Sequence, residues 1–316
     1  MRKPQTSKSP TNVLNALTID LEDWFQVSNL EHLIPRHHWH RYPSRLEAST
    51  FRLLAILGEA NVRTTFFVLG WNAERYPQLI REIHRSGHEL AIHGYQHRPL
   101  YQQTPIQFAW EISRCQEIIE CITGVRPRGF RAPSFSVVAD SLWALEILAE
   151  HGIQYDCSVF PVYHHRYGIP GAPRFPHRIS LNGKGSLVEF PVSTLAVGRW
   201  NLGFSGGAYL RLLPYRIVRR GIRSLNRAGQ PAHVYLHPWE LDPGLPRQRL
   251  SIPTSILAYG NLHTTERKLL ALLEDFEFAP AGEVLAGYTP RLASYDIDFY
   301  VSLNGHKIKQ EFAAAG

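Results

Sequence analysis

Three pairs of histidines have the HxxxH spacing that can bring two imidazoles to one metal ion, in a chain of 316 residues with 16 histidines. The pairs are His84/His88, His93/His97 and His233/His237. Because chance produces such pairs in a histidine-rich chain, their position on the predicted elements has to separate them. Gly87 ends a predicted helix between His84 and His88, which indicates a structural or solvated pair rather than a shared helix face.

Four polar side chains stand at the ends of predicted strands. Asp20 ends the run ALTID, His93 ends HELAIH, Arg131 ends GFR and His237 ends VYLH. In a parallel α/β barrel, the carboxyl ends of the strands surround the active site. A contact with a neighbouring loop would explain any single one of these residues. All four together predict a shared cavity.

A carboxylate with two histidines is a typical ligand set for a divalent metal ion. The set predicted here is Glu22 or Asp23 with His93 and His97. Neutral imidazole and carboxylate oxygen suit zinc and related ions and leave a position for water. Metal-assisted hydrolysis also needs a base and an acid. Asp20 and His237 are available for these roles.

The elements that position these residues alternate regularly along the chain. The predicted strands are 16–20, 64–69, 88–93, 129–131, 153–156, 187–192 and 232–237. Helical patterns begin at Leu46 and at Pro77. Further helical patterns cover the ranges 104–124, 141–150, 214–228 and 264–275. Residues 160–185 show no periodicity and predict a long loop. About seven strand–helix units favour an α/β barrel over a doubly wound sheet.

The predicted organisation has three parts. Residues 1–12 form a polar lead that we expect to be disordered, residues 13–280 form one domain, and residues 281–316 form a polar C-terminal tail. Hydrophobic residues make up 44% and charged residues 19% of the chain, which indicates a globular protein.

The net charge of +7 suits an anionic partner such as nucleic acid, lipid headgroups or acidic glycan. The densest basic group runs from Arg211 to Arg227, on a predicted helix. Since no nucleic-acid-binding module is recognisable, we do not expect nucleic acid as the partner, and peripheral membrane association stays open.

The three cysteines form no CxxC pattern, which argues against a disulfide framework or a thiolate zinc site. The sequence shows no signal peptide and no apolar run near the ~18 residues that span a bilayer. A cytoplasmic location is therefore expected.

Four short motifs occur in order along the chain. They are TIDLED (18–23), HGYQH (93–97), RAPSF (131–135) and YLHP (235–238). They resemble the successive motifs of the polysaccharide deacetylases, carbohydrate esterase family 4. FFVLGW (66–71) and YDCSVFP (155–161) are similar to the subgroup associated with exosortase-linked exopolysaccharide gene clusters. The resemblance covers about residues 14–280 and implies a distorted (β/α) barrel of deacetylase type that removes acetyl groups from N-acetylhexosamine units.

The resemblance also implies roles, residue by residue. Asp20 corresponds to the catalytic base, Arg131 to the residue that orients it, and His237 to the catalytic acid. His93 and His97 correspond to the metal-binding histidines, with zinc as the expected ion.

Two positions depart from the family pattern. The usual adjacent Asp-Asp of the first motif is replaced by Asp20-Leu21-Glu22-Asp23, so the third protein ligand is Glu22 or Asp23, with Glu22 slightly favoured by its spacing. The carboxylate that supports the acid histidine is not identified by a motif, and Asp156 is the nearest candidate by order.

The function predicted from the sequence is a metal-dependent hydrolase that removes N-acetyl groups from an exopolysaccharide or its lipid-linked oligosaccharide precursor. One alternative is a small-molecule amidohydrolase on the same barrel. A second alternative is a non-catalytic glycan-binding protein, although the complete set of acid, base and metal-binding residues argues against it.

Overall fold

The computed structural model describes residues 13–164 and 166–303. Within these ranges the strands are β1 Asn15–Leu21, β2 Thr65–Val68, β3 Glu89–Ile92, β4 Gly129–Phe130, β5 Tyr155–Asp156, β6 His177–Ser180, β7 Ser186–Glu189, β8 Thr194–Val197, β9 Trp200–Gly203, β10 His233–Leu236, β11 Phe278–Ala279 and β12 Ala293–Asp296. The α-helices are α1 Leu46–Glu59, α2 Gly70–Arg75, α3 Pro77–Arg85, α4 Pro105–Thr123, α5 Trp143–Glu150, α6 Gly207–Leu212, α7 Tyr215–Arg227, α8 Ile252–Tyr259, α9 Thr265–Asp275 and α10 Ala281–Tyr288. The predicted lead, residues 1–12, lies outside the described residues.

Seven parallel strands form the centre of the fold, in the order β10-β1-β2-β3-β4-β5-β7. Beyond the end of β7, Ser193 N–H donates to the carbonyl of His233 on β10 at 3.4 Å, and His233 N–H donates to Ser193 Oγ at 2.8 Å. These contacts join the first and last strands. The fold is the distorted (β/α) barrel of about seven strands that the sequence predicts.

Side chains of β1 alternate between two environments. Leu17, Ile19 and Leu21 pack against the surrounding helices, in the cluster that contains Leu53 of α1. Ala16 belongs instead to the smaller cluster inside the barrel. Because successive side chains of a strand point to opposite faces, Asp20 has the same direction as Ala16 and points into the barrel.

The predicted helix boundaries are largely confirmed. α4 begins with a capping box between Thr104 and Gln107 and ends at Gly124, whose φ of +77° favours glycine. Thr264 precedes α9 as predicted, but it does not cap that helix, because its hydroxyl donates to the carbonyl of Asn261 at 2.8 Å.

The structure adds elements that the sequence pattern missed. β6 lies within the region 160–185 that was predicted to be a loop, and it pairs antiparallel with β7. Residues 281–303 were assigned to a tail, yet Ala281 and Leu285 of α10 are buried, and β12 pairs with β6. The described part of that segment therefore packs on the barrel.

None of the described helices is both long enough and apolar enough to cross a membrane.

Candidate active site

The predicted site residues lie together at the carboxyl ends of the parallel strands. A cavity of about 570 Å³ opens there, and Asp20, Glu22, His93, His97 and His237 all line it. Arg131 follows β4 directly and is fully buried behind Asp20. The structure thus brings together the four strand-end residues that the sequence singled out.

Glu22 contacts both histidines of the second HxxxH pair. Its Oε1 lies 3.0 Å from Nε2 of His93 and 3.0 Å from Nε2 of His97, and all three residues are buried. His93 Nδ1 donates to the carbonyl of Arg131 at 2.8 Å. The Nε2 lone pair of a neutral His93 therefore points at the carboxylate.

Two facing acceptors need a proton or a cation between them. Burial favours the neutral form of Glu22, but the charges of His97 and His237 outweigh it and hold the pKa of Glu22 well below its usual value. One carboxylate oxygen and two imidazole nitrogens within 4.8 Å of one another, at the wall of an open cavity, fit a divalent metal ion with positions left for water.

Of the two carboxylates that the sequence left open as the third ligand, Glu22 lies beside the histidines and Asp23 lies outside this cluster. The carboxylate of Asp23 accepts from Ser44 Oγ at 2.5 Å, from Arg45 N–H at 3.1 Å and from Trp24 N–H at 2.9 Å. These bonds fix the loop that enters α1. Asp23 is a structural residue, although its neighbour is a candidate ligand.

Arg131 connects Asp20 to the barrel interior. Its Nη1 donates to Asp20 Oδ1 at 2.5 Å, and its guanidinium lies 4.1 Å from the centroid of the Phe67 ring. Its Nη2 donates to His233 Nε2 at 2.6 Å. Burial and the charge of Arg131 keep the pKa of His233 well below its usual value, so this ring is neutral and accepts the bond.

The third HxxxH pair is therefore divided between two roles. His233 supports Arg131 inside the barrel, whereas His237 faces the cavity. His237 Nε2 lies 3.8 Å from Asp20 Oδ2 and 3.8 Å from Glu22 Oε1. The first pair is structural, since His88 is buried and its Nδ1 accepts from Thr64 N–H at 3.1 Å.

Glu240 is the carboxylate that supports His237. Its Oε2 lies 3.1 Å from His237 Nδ1, and its Oε1 accepts from Nε of the buried Arg211 at 2.6 Å. Burial opposes a charged imidazole, but the carboxylates of Glu22, Glu240 and Asp20 outweigh it and raise the pKa of His237 to about 9. Burial also opposes a charged Glu240, yet His237 and Arg211 lower its pKa to about 2.

Asp156, the nearest candidate by order for this supporting position, does not contact His237 in the structure. Asp156 accepts from Cys157 N–H at 2.9 Å and from the Ser158 hydroxyl, and burial raises its pKa to about 6. The sequence did hold a signal for Glu240, because it stands three residues after His237, the spacing at which a carboxylate can accept from the N–H of the residue before a helical turn. In the structure, Glu240 Oε2 accepts from His237 N–H at 3.0 Å. Arg211 gave no comparable signal, since it meets Glu240 only through the fold.

Comparisons with known proteins divide the chain in two. Residues 39–155 match the family model described as polysaccharide deacetylase, and residues 157–286 match a domain of unknown function, DUF3473. The peptidoglycan-N-acetylglucosamine deacetylase of Bacillus cereus is 33% identical over 98 residues, which are 31% of this chain and 36% of that protein. The peptidoglycan deacetylase of Helicobacter pylori is 31% identical over 123 residues, which are 37% of this chain and 40% of that protein. The chain thus spans well under half the length of these curated relatives.

A crystal structure from Mycobacterium smegmatis, described as a polysaccharide deacetylase, shares the fold. Its TM-score is 0.61 at 24% identity, and the superposition covers 93% of this chain and 96% of that one. The two chains therefore share one fold. Residues 39–155 are thus similar in sequence to the polysaccharide deacetylase family, and the described barrel is similar in fold to the Mycobacterium smegmatis structure.

Proposed function

We propose that this protein hydrolyses N-acetyl groups from the amino-sugar units of a glycan. One observation carries the proposal: Glu22 Oε1 lies 3.0 Å from Nε2 of both His93 and His97, on a cavity that also exposes Asp20 and His237. Relatives of the segment 39–155 that are named as deacetylases support it.

Glu22, His93 and His97 would hold a divalent metal ion, and zinc suits this set of one oxygen and two nitrogen ligands. Such an ion supplies Lewis acidity for the acetamide carbonyl and lowers the pKa of a water molecule towards 7. The barrel supplies the rest of the reaction from its own side chains.

Asp20 is placed to act as the base. Its Oδ1 is held by Arg131, which leaves Oδ2 at the cavity to take a proton from the attacking water. Arg131 balances the charge of the carboxylate and fixes its direction through a charge-assisted hydrogen bond.

His237 is placed to act as the acid. Glu240 holds its Nδ1, so the proton on Nε2 is directed into the cavity, where the amide C–N bond breaks. The carbonyl carbon gains an oxygen from water, the nitrogen gains the proton of His237, and the products are acetate and a free amino sugar.

The substrate that we propose is an exopolysaccharide or its lipid-linked oligosaccharide precursor. The similarity of FFVLGW (66–71) and YDCSVFP (155–161) to the exosortase-associated subgroup supports this choice. Peptidoglycan, named for the bacterial relatives, is the competing glycan.

Acetate release from N-acetylglucosamine oligomers tests the proposal. We expect metal-dependent release from the wild-type protein and none from His93→Ala, while His84→Ala, from the structural HxxxH pair, keeps its activity. Full acetate release by metal-free His93→Ala protein would refute the proposal. Turnover of ureides or formamides without acetate release would favour the small-molecule amidohydrolase instead.

A further inference from the structure

Helix α8 exposes a face made of apolar residues alone. The exposed residues are Ile252 (78% exposed), Pro253, Ile256 (52%) and Leu257 (45%). Thr254 and Ser255 are only half-exposed. A surface helix of a globular protein normally turns its polar face to water, so α8 shows the reverse arrangement.

The fold fixes this helix at the mouth of the cavity. Ala258 and Tyr259 are buried in an aromatic cluster with Trp39 and Trp239, and Leu257 lines the cavity. Arg211 also donates to the carbonyl of Leu257 at 2.5 Å. The apolar face therefore points outward because the opposite face of α8 is held by the barrel.

The segment around α8 is positively charged. Residues 243–265 contain Arg247 and Arg249 but no Asp or Glu. Both arginines are exposed, and Arg247 lies over the Tyr259 ring at 5.6 Å from its centroid. The acids that flank the segment are already paired, Asp242 with Arg45 and Glu266 with Arg52.

We propose that the α8 surface, defined as Arg247, Arg249, Ile252, Ile256 and Leu257, binds the headgroup layer of an anionic phospholipid membrane. Aliphatic side chains gain free energy by entering an apolar phase, and nearby arginines are attracted to lipid phosphates. A nucleic acid or an acidic polysaccharide would satisfy the arginines but would leave the isoleucines in water.

Two rival occupants fit the surface less well. In a twofold dimer the same patch is contributed by both copies, so the interface would hold four arginines with no acid from residues 243–265 to pair with them. The densest basic group of the chain, on α7, is partly neutralised, because Asp275 lies 2.7 Å from Arg219 and 3.5 Å from Arg223. Among residues 13–164 and 166–303, no acid forms a salt bridge with Arg247 or Arg249, so the α8 surface combines positive charge with exposed aliphatic side chains.

The membrane assignment does not depend on the deacetylation proposed above, because vesicle binding is measured without any turnover and the substituted residues do not line the cavity. If both hold, the cavity mouth lies at the membrane, where a lipid-linked glycan would be presented.

Vesicle co-sedimentation of the full chain tests the inference. We expect binding to vesicles of phosphatidylcholine with phosphatidylglycerol and weaker binding to phosphatidylcholine alone. The double variant Ile252→Asp/Ile256→Asp should bind at least about tenfold more weakly, since burying each isoleucine is worth roughly one decade or more. Arg247→Gln/Arg249→Gln should weaken binding about tenfold or more on the anionic vesicles.

Matched controls come from the opposite end of the barrel. Val125 is 53% exposed in the loop before β4, and Val125→Asp should leave vesicle binding unchanged. Arg85→Gln/Arg128→Gln removes two exposed charges before β3 and β4, and it should lower binding far less than the α8 pair. Circular dichroism and thermal unfolding confirm that each variant is folded.

Vesicle binding that is equal in the α8 variants and their controls would overturn the inference. So would a dimer of the wild-type protein, without vesicle affinity, that Ile256→Asp converts to a monomer in analytical ultracentrifugation. An α8 variant that loses vesicle binding but still releases acetate from a soluble oligomer would support the membrane role. If neither the wild-type protein nor any variant releases acetate, that result contradicts the proposed reaction and not the membrane binding.

Discussion

Glu22 and Asp23 are adjacent in the chain, yet their carboxylates serve different parts of the molecule. Glu22 faces His93 and His97, whereas Asp23 accepts hydrogen bonds from Ser44 and Arg45 at the start of α1. Both residues directly follow β1, which ends at Leu21, and successive side chains along an extended chain point in opposite directions.

This difference gives matched variants. Glu22→Gln should lower metal affinity by more than about a hundredfold, beyond the effect of groups that only support ligands. Asp23→Asn should keep the metal but lower the free energy of unfolding by about 1–3 kcal/mol, since it weakens charge-assisted bonds to the α1 loop. Metal titration and denaturant unfolding measure both. If the Asp23→Asn protein lost the metal while the Glu22→Gln protein kept it, Asp23 and not Glu22 would be the metal ligand.

Glu240 and Arg211 form a buried chain of contacts behind His237. Glu240→Gln should reduce kcat by about tenfold to a hundredfold with a smaller change in KM, because the acid histidine loses its orientation and its negative neighbour. Removing that charge also lowers the pKa of His237, so the alkaline limb of the rate profile should move to lower pH.

Asp156→Asn is the matched control for this position. Asp156 is a buried carboxyl group that contacts neither His237 nor the cavity, so kcat and the alkaline limb should stay near their wild-type values. An Asp156→Asn variant that reproduces the Glu240→Gln profile would contradict the assignment.

Among the elements, those with a buried apolar pattern were predictable from sequence. β3 and β10 are apolar runs followed directly by His93 and His237, and Asp20 is the last polar residue of the apolar strand β1, so the ends of these strands located all three residues. β6 and α8 were missed for a physical reason. β6 alternates buried and half-buried residues over only four positions, and α8 turns apolar residues to the solvent, so neither shows the periodicity of a core element.

The β6–β12 pair attaches residues 281–303 to the barrel, and His177 begins β6, opposite Ala293 of β12. His177 is buried, its Nδ1 donates to the carbonyl of Phe175 at 2.7 Å, and its Nε2 faces the Tyr300 hydroxyl. Burial lowers the pKa of His177 to about 4 from 6.5, so the ring is neutral in the folded protein at neutral pH.

Stability should therefore fall as the pH drops. The unfolded chain protonates this histidine below about pH 6.5, whereas the folded chain protonates it only near pH 4. The contribution of the neutral His177 to the free energy of unfolding is therefore fully present above pH 6.5 and is lost as the pH falls from 6.5 to 4. The loss amounts to at most about 3 kcal/mol. In denaturant unfolding, His177→Gln should show a smaller slope of unfolding free energy against pH. Equal slopes would contradict a neutral buried His177.

At the level of the whole molecule, the candidate site draws on residues from three stretches of the described chain. Asp20 and Glu22 precede the deacetylase match at 39–155, and that segment supplies His93, His97 and Arg131. The segment 157–286 supplies His237, its partner Glu240 and the buried Arg211. Neither matched segment holds the complete set, so the proposed active site needs residues from both.

This division also explains what could be predicted from the sequence. Residues inside short motifs, such as His93 and His97, were identified because their spacing is local. The bond between Arg211 and Glu240 joins residues 29 positions apart, and the one between Arg131 and His233 joins residues 102 apart. Only the closed barrel brings such partners together.

The metal centre is the claim on which the rest of the account depends. Crystals grown with zinc, measured on both sides of the zinc absorption edge, test it most directly. The account predicts one anomalous peak within about 2.0–2.2 Å of Glu22 Oε1, His93 Nε2 and His97 Nε2. A peak at Asp23, or no peak between these three atoms at saturating zinc, would contradict it.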